Sequence, residues 1–249
     1  MQSSKRYHII IEYDGSRYFG WQKQPDRITV QGELETVLTR IANHKVVTYA
    51  AGRTDRGVHA LGMSIHFDSH AERSLAVWQT AINALLPTDI RCLNIKIADP
   101  DFHARHSAVS RTYHYRIQTN KIAQPVFSRQ NSWWFPHSLD LNLLQAATTV
   151  FHGQHDFSGY RGRDCQAASP ITEILAINTE FNDHEIIISI TGRSFLHHMV
   201  RNIVGAILLV AQNKRDLSWL QQTLIAKTRV PEIPMAPAHG LSFITAKYQ

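Results

Sequence analysis

The sequence has little cysteine and no long apolar segment, and each absence excludes a class of protein. Its two cysteines, Cys92 and Cys165, stand alone, without the CxxC pairs of a zinc ribbon. The longest apolar run, Ile203–Ala211, contains Gly205 and is far shorter than the roughly 20 residues that span a bilayer. We therefore expect reduced thiols, a cytoplasmic protein and no membrane span.

Motifs for several kinds of chemistry are missing as well. There is no GxGxxG or GxxxxGK[ST] loop for a dinucleotide or a nucleoside triphosphate. The 15 histidines are scattered, and none belongs to an HExxH motif or to the H-x-E and P-C-x-x-C signature of zinc deaminases. We therefore expect no metal and no cofactor.

The charge that is present has a basic excess. Lysine and arginine number 26 against 20 aspartates and glutamates, which gives a net charge of +6 and a pI near 9.4. Such a balance favours a polyanionic partner, because contacts to phosphates release counterions. A mild basic excess is also common among soluble proteins, so charge alone leaves a nucleic-acid partner open.

The hydrophobic pattern runs through a similar order of elements twice. In the first half it predicts strands at 6–13, 45–51, 62–69 and 90–99, and helices that begin after Thr29 and Ser74. In the second half it predicts a strand at 111–119, a helix after Asp140, two strands joined at Asn182–Asp183, helices at 195–212 and 217–226, and a last strand at 240–248.

Both halves approximate β-α-β-β-α-β, the ferredoxin-like order. The predicted fold class is α+β, with two ferredoxin-like halves, residues 1–105 and 106–249, that share a mostly antiparallel sheet and leave a central cleft. Clefts of this kind commonly bind ligands. An aromatic insertion at 121–137 is either a stacking surface for bases or a packed excursion of the chain.

The stretch YAAGRTDRGVHALG sets Asp55 between Arg53 and Arg56, with Gly52 and Gly57 on either side. Neighbouring cations favour an ionised carboxylate, and the glycines allow a sharp turn and the close approach of a substrate. The stretch predicts either a surface turn held by its own ion pair or a catalytic carboxylate, which would act as a nucleophile, an electrostatic stabiliser or a base.

The stretch GRSFLHHMVRNIVG places Arg201 early in a strongly apolar helix, with His197 one turn before it. Since buried charges are retained when they are paired, we expect Arg201 either to contact phosphate at an exposed groove or to pair with Asp55.

The strand RTYHYRIQT puts Tyr113 and Tyr115 on one face of the sheet. One of these tyrosines could stack on a base and use its hydroxyl in proton transfer, or both could belong to an aromatic core.

Seven stretches together resemble the bacterial tRNA pseudouridine synthase A family, in order along nearly the whole chain. They are IEYDGSRYFGWQKQP, TVQGELE, GRTDRGVHA, FHARHSAVSRTYHYRI, HDFSGYRGRDCQAASP, FLHHMVRNIVG and APAHGLSF. The resemblance implies a cytoplasmic homodimer that isomerises uridine to pseudouridine in the anticodon stem-loop of tRNA, at positions 38 to 40, without a cofactor.

The resemblance also implies roles for individual residues. Asp55 matches the essential aspartate, and Arg201 matches the arginine that pairs with it. Tyr113 matches the tyrosine placed against the target uracil and proposed to assist removal of the C5 proton. Arg53 matches a basic residue that helps hold RNA, and Leu241 matches an apolar residue beneath the tyrosine.

Two positions depart from the family pattern. Arg56 stands where a small residue is usual, and Thr172 stands where a basic residue is expected.

The alternative function is a non-catalytic tRNA-binding protein or RNA chaperone that uses the same cleft. A zinc deaminase is disfavoured because its ligand motifs are missing.

Overall fold

The computed structural model describes residues 4–249, which form two compact units. The first unit comprises the chain up to residue 111 together with 242–249, and the second comprises residues 112–241. The structure thus groups nearly all of the last strand with the first unit. The predicted domains, 1–105 and 106–249, stay a prediction.

The first unit contains one mixed sheet and two helices. Its elements are β1 (Lys5–Tyr13), α1 (Val30–Ala42), β2 (Thr48–Ala50), β3 (His59–Ser69), α2 (Leu75–Leu85), β4 (Ile90–Ala98) and β10 (Leu241–Tyr248). The strand order is β4-β1-β3-β10, with β2 paired to β3. All these pairs are antiparallel except β10 with β3, which is parallel and sets Ser242 opposite His59.

The sequence determines these helices through caps and apolar faces. The Thr29 hydroxyl accepts a hydrogen bond from the N–H of Gly32 at 3.3 Å, and the Ser74 hydroxyl accepts one from Val77 at 3.2 Å, so both predicted N-caps are confirmed. Trp78 of α2 is fully buried, and its ring centroid lies 5.4 Å from that of Tyr7 on β1.

The second unit contains three long strands, two short strands and three α-helices. Its elements are β5 (Ala108–Gln118, which begins in the first unit), β6 (Trp133–Trp134), α3 (Leu141–Thr149), β7 (Gly153–Asp156), β8 (Ile171–Asn182), β9 (Glu185–Gly192), α4 (Met199–Ala211) and α5 (Leu217–Ile225). The order is β5-β9-β8-β7, with β6 parallel to β5. The helices and the mostly antiparallel strands of the two units confirm the α+β fold class.

The second unit departs from the predicted element order in two ways. The short strands β6 and β7 were not predicted, because two and four residues carry no readable periodicity. The predicted helix start at Phe195 is wrong, since α4 begins at Met199. His198 has φ +64°, a left-handed conformation that a right-handed helix cannot contain.

Among residues 4–249, no helix combines the length and the apolar composition that crossing a membrane requires. The helix α4 is buried on nearly every side, so its apolar run belongs to the core of the second unit.

Buried histidines join β1 and β3 to the segment that leads into β5. His8 Nε2 lies 2.6 Å from the Ser64 hydroxyl, and His66 Nδ1 accepts a hydrogen bond from the N–H of Ala104 at 3.1 Å. The Tyr248 hydroxyl donates to the Ala104 carbonyl at 2.8 Å. Burial lowers the pKa of both His8 and His66 to about 4.

These two histidines predict a loss of stability in mild acid. In the unfolded chain both histidines become protonated as the pH falls below about 6.5, whereas in the folded chain they stay neutral until the pH reaches about 4. Stability that is present at neutral pH is therefore lost as the pH falls through this window. Between pH 7 and pH 5 we expect a loss of about 1–2 kcal/mol per histidine in urea unfolding.

The variants His8→Gln and His66→Asn keep an acceptor near the native nitrogen and cannot be protonated in this range. Each should therefore flatten the pH dependence of the unfolding free energy. An unchanged slope in both variants would contradict the assignment to these side chains.

Candidate active site

Asp55 lies in a tight turn between β2 and β3. The N–H of Val58 donates to the Asp55 carbonyl at 3.1 Å, and Gly57, the third residue of the turn, has φ +79°. A positive φ at this position is typical of a type II turn and favours glycine. The predicted sharp turn is confirmed, with the half-buried Asp55 as its first residue.

Two glycines after β1 allow another stretch of backbone to press against this turn. A Cβ on Gly15 would lie 2.0 Å from the Val58 carbonyl oxygen, and a Cβ on Gly20, which has φ +85°, would lie 2.6 Å from the Thr54 carbonyl oxygen. That same oxygen accepts a hydrogen bond from the N–H of Trp21 at 3.0 Å. Only backbone without side chains can approach the turn so closely.

The turn is also held by buried polar contacts. The Thr54 hydroxyl lies 2.8 Å from the Tyr13 hydroxyl, and both residues are buried. Arg111, at the start of β5, donates from Nε to the Ala51 carbonyl at 3.1 Å and also donates to the Arg105 carbonyl. The residue that precedes Asp55 and the strand that leads into the turn are therefore both fixed.

The arginines that flank Asp55 do not pair with it. Arg53 is exposed and forms no ion pair with any residue in 4–249. The Arg56 Cζ instead lies over the Phe19 ring, 4.3 Å from its centroid. The interpretation of this stretch as a surface turn held by its own ion pair is therefore wrong.

Arg201 lies in the first turn of α4 and is only 8% exposed. Its Nε donates to the Ala236 carbonyl at 2.7 Å, and the N–H of Ala236 donates to the Arg201 carbonyl at 3.2 Å. Burial contradicts the alternative of an arginine exposed at a groove. Its pairing with Asp55 stays a prediction.

His197 precedes α4, so the prediction that it lies one helical turn from Arg201 is wrong. Its carbonyl accepts a hydrogen bond from the N–H of Gly162 at 2.7 Å, and its ring lies 3.7 Å from that of His198. A Cβ on Gly162 would lie 2.7 Å from His198 Nδ1. These contacts join the loop around Gly162 to the start of α4.

The two tyrosines of β5 have different surroundings. Tyr113 is 7% exposed, and its ring meets that of Phe195 edge-on at 5.0 Å. The Tyr115 hydroxyl donates to the Pro237 carbonyl at 2.8 Å, and burial raises the pKa of that hydroxyl above its usual range. Leu241 is buried, and its position beneath Tyr113 stays a prediction.

The aromatic residues at 133–135 of the insertion are packed, whereas Phe127 of the same insertion is fully exposed. Phe135 is buried, its ring meets that of Trp133 at 4.8 Å, and Trp134 Nε1 donates to the Asn120 carbonyl at 2.7 Å. These contacts support the packed excursion for 133–135, and a stacking surface elsewhere in the insertion stays a prediction. Thr172 is buried as well and bonds to Ser194, so this position offers no side chain to RNA.

Comparison with known proteins decides the family. The profile of the family described as tRNA pseudouridine synthase matches residues 9–107 and 147–249. The chain belongs to the tRNA pseudouridine synthase family. It is thus an isomerase by family, and the matched residues include Arg53, Asp55, Arg201 and Leu241, whereas Tyr113 falls between the two matched ranges.

Several relatives resemble the chain over most of its length. Proteins named tRNA pseudouridine synthase A are 41% identical in Nitrosomonas eutropha (96% of this chain and 86% of the relative) and 42% identical in Aeromonas salmonicida (98% and 90%). Another, from Francisella tularensis subsp. holarctica, is 38% identical over 98% of this chain and 94% of its own length.

The residues that support the Asp55 turn were not predicted from the sequence. Gly20, Thr54, Tyr13 and Arg111 touch the loop through backbone or buried polar contacts. In the sequence they stand out only because they occur in the motifs that carry the family resemblance. Contacts between residues so far apart in the chain leave no periodic pattern in the sequence.

The approach of Gly20 predicts a loss of activity beyond its effect on stability. In Gly20→Ala the new methyl group would displace the Thr54 carbonyl, and a shift of about 1 Å in a catalytic group can cost about 100-fold in rate. We expect at least a ten-fold lower rate of tritium release from tRNA labelled at uridine C5.

Gly153→Ala is the matched control. Gly153 also has a positive φ, +95°, but the nearest atom to its added Cβ is His155 Nε2 at 3.9 Å. Both variants should lower the melting temperature through backbone strain, while only Gly20→Ala loses turnover. Equal turnover in the two variants would show that the approach to Thr54 does not matter.

Proposed function

We propose that the protein isomerises uridine to pseudouridine in the anticodon stem-loop of tRNA, at positions 38 to 40, without a cofactor and with Asp55 as the essential acid. The observation that carries the proposal is the presentation of Asp55. Its turn is fixed by close backbone contacts, and neither neighbouring arginine pairs with it.

The reaction needs a carboxylate in a defined place. The N1–C1′ bond of uridine breaks, the uracil turns, a C5–C1′ bond forms, the C5 proton leaves and N1 gains a proton. Breaking the glycosidic bond develops positive charge on the sugar, which an ionised carboxylate stabilises. Attack on the sugar, attack on the base and abstraction of a sugar proton all use the ionised form of Asp55.

The other candidate residues take roles that fit their surroundings. Arg201 pairs with Asp55, since a buried guanidinium requires a partner. Tyr113 lies against the target uracil and assists removal of the C5 proton, with Leu241 packed beneath it. Arg53, which is exposed, holds the RNA.

The partner is tRNA, and the net charge of +6 favours its phosphate backbone. The target uridine lies in a stacked stem-loop, so it must be flipped out of the stack to reach Asp55. We propose that the protein acts as a homodimer, as its family resemblance implies.

The test follows tritium release from unmodified tRNA labelled at uridine C5. Without added metal or nucleotide, wild type should release the label and Asp55→Asn should not, because the amide cannot carry the negative charge. The tRNA affinity of Asp55→Asn should stay within a few-fold of wild type. Turnover of Asp55→Asn near wild type would contradict the mechanism, and tight binding without release by wild type would favour a binding protein.

The role of Tyr113 is tested against its neighbour Tyr115. Tyr113→Phe should slow tritium release more than it weakens tRNA binding, because it removes the hydroxyl from the reacting base. Tyr115→Phe removes a hydroxyl that bonds to Pro237, so it should lower stability and spare turnover. Equal turnover losses in the two variants would contradict a specific role for Tyr113.

A further inference from the structure

Two arginines lie over one aromatic ring beside the Asp55 turn. The Cζ atoms of Arg56 and Arg27 are 4.3 Å and 4.5 Å from the centroid of the Phe19 ring. Both arginines are exposed, and Phe19 is half-buried. The two positive charges therefore lie within about 9 Å of each other, less than the Debye length of about 10 Å in 0.1 M salt.

No acid in the described part of the chain forms an ion pair with these two arginines. Neither guanidinium forms an ion pair or a hydrogen bond with another residue in 4–249. Two other arginines of the first unit do have acidic partners, since Arg6 contacts Asp68 at 2.7 Å and Arg17 contacts Asp89 at 3.3 Å. Two like charges held together without a direct ion pair repel each other, and a bound anion would relieve that repulsion.

The contact with the ring leaves both arginines able to bind an anion. A guanidinium over an aromatic face is attracted through its π face, while its N–H groups still point outward from its edge. Those N–H groups form a planar fork that matches two oxygens of a phosphate. The ring thus restricts the positions of both guanidinium groups and leaves their N–H donors available to a ligand.

Backbone contacts join this ring to the Asp55 turn. The N–H of Phe19 donates to the Ile28 carbonyl at 2.9 Å, which closes the loop that carries Arg27. The next residue, Gly20, presses against Thr54, and Arg56 directly follows Asp55. An anion held by the two arginines would therefore lie beside the proposed catalytic carboxylate.

We propose that Arg27 and Arg56, placed by Phe19, form a clamp for a backbone phosphate of the RNA substrate next to the reacting uridine. The proposal rests on the proposed function, since it assigns the clamp to the same tRNA. It also gives Arg56, which stands where the family usually has a small residue, a role outside the chemistry.

The test compares the salt dependence of tRNA binding in Arg27→Ala, Arg56→Ala and a control, Arg73→Ala. Arg73 is exposed in the same unit, and its side chain donates only to the carbonyl of its neighbour Glu72. All three variants lose one positive charge. Binding of unmodified tRNA is measured by fluorescence anisotropy in the Asp55→Asn background, so that the RNA stays unmodified.

Loss of a phosphate contact reduces the slope of log K against log salt by about 0.7–0.9. The ratio of variant to parent Kd should therefore be about three times larger at 50 mM than at 200 mM salt for Arg27→Ala and for Arg56→Ala. For Arg73→Ala the ratio should stay near one at both concentrations. Slopes of the clamp variants that equal those of the parent or of Arg73→Ala would overturn the proposal.

Phe19→Leu distinguishes binding by arginines that the ring holds in place from attraction by their charges alone, because it removes the ring and keeps both arginines. It should weaken tRNA binding with a smaller change of slope than either arginine variant, and affinity equal to the parent would overturn the role of the ring. Tritium release by wild type, measured in parallel, distinguishes failure of the clamp proposal from failure of the proposed function. Release with unchanged slopes refutes the clamp alone, whereas changed slopes without release refute the isomerase and retain the clamp.

Discussion

The position of Asp55 depends on a backbone contact between two segments far apart in the sequence. The segment that follows β1 presses against the turn through Gly15 and Gly20, and the Thr54 carbonyl accepts a hydrogen bond from Trp21. A side chain at either glycine would enter the space of the turn. This contact gives a physical reason for the glycines of IEYDGSRYFGWQ, whereas Gly57 of GRTDRGVHA is explained by its own positive φ.

The second unit presents its candidate residues by the same means. A Cβ on Gly205 of α4 would lie 1.8 Å from the Pro234 carbonyl oxygen, so the segment before β10 runs directly along the helix. Arg201 binds Ala236 through both its side chain and its carbonyl, and Tyr115 packs against Gly240. In both units, therefore, a candidate site residue lies close to a place where glycine lets a loop press against neighbouring backbone.

The sequence predicted what depends on local pattern. Thr29, Ser74 and Asp140 cap helices as expected, and alternation along β5 placed Tyr113 and Tyr115 on the buried side. It failed where tertiary contacts override local preference. The segment 195–198 extends the helical pattern of the sequence, but His198 adopts a left-handed conformation beside Gly162. Similarly, the flanking charges of Asp55 suggested an ion pair, while Arg56 reaches Phe19, 37 residues earlier in the sequence.

The central claim is that the placement of the carboxylate, in addition to its charge, makes Asp55 effective. Asp55→Glu tests it most directly, because the charge is kept and the carboxylate moves by one methylene group. With saturating tRNA, the single-turnover rate of tritium release should fall by about 100-fold or more, with tRNA affinity unchanged. A rate for Asp55→Glu within a few-fold of wild type would contradict the account, since charge alone would then suffice.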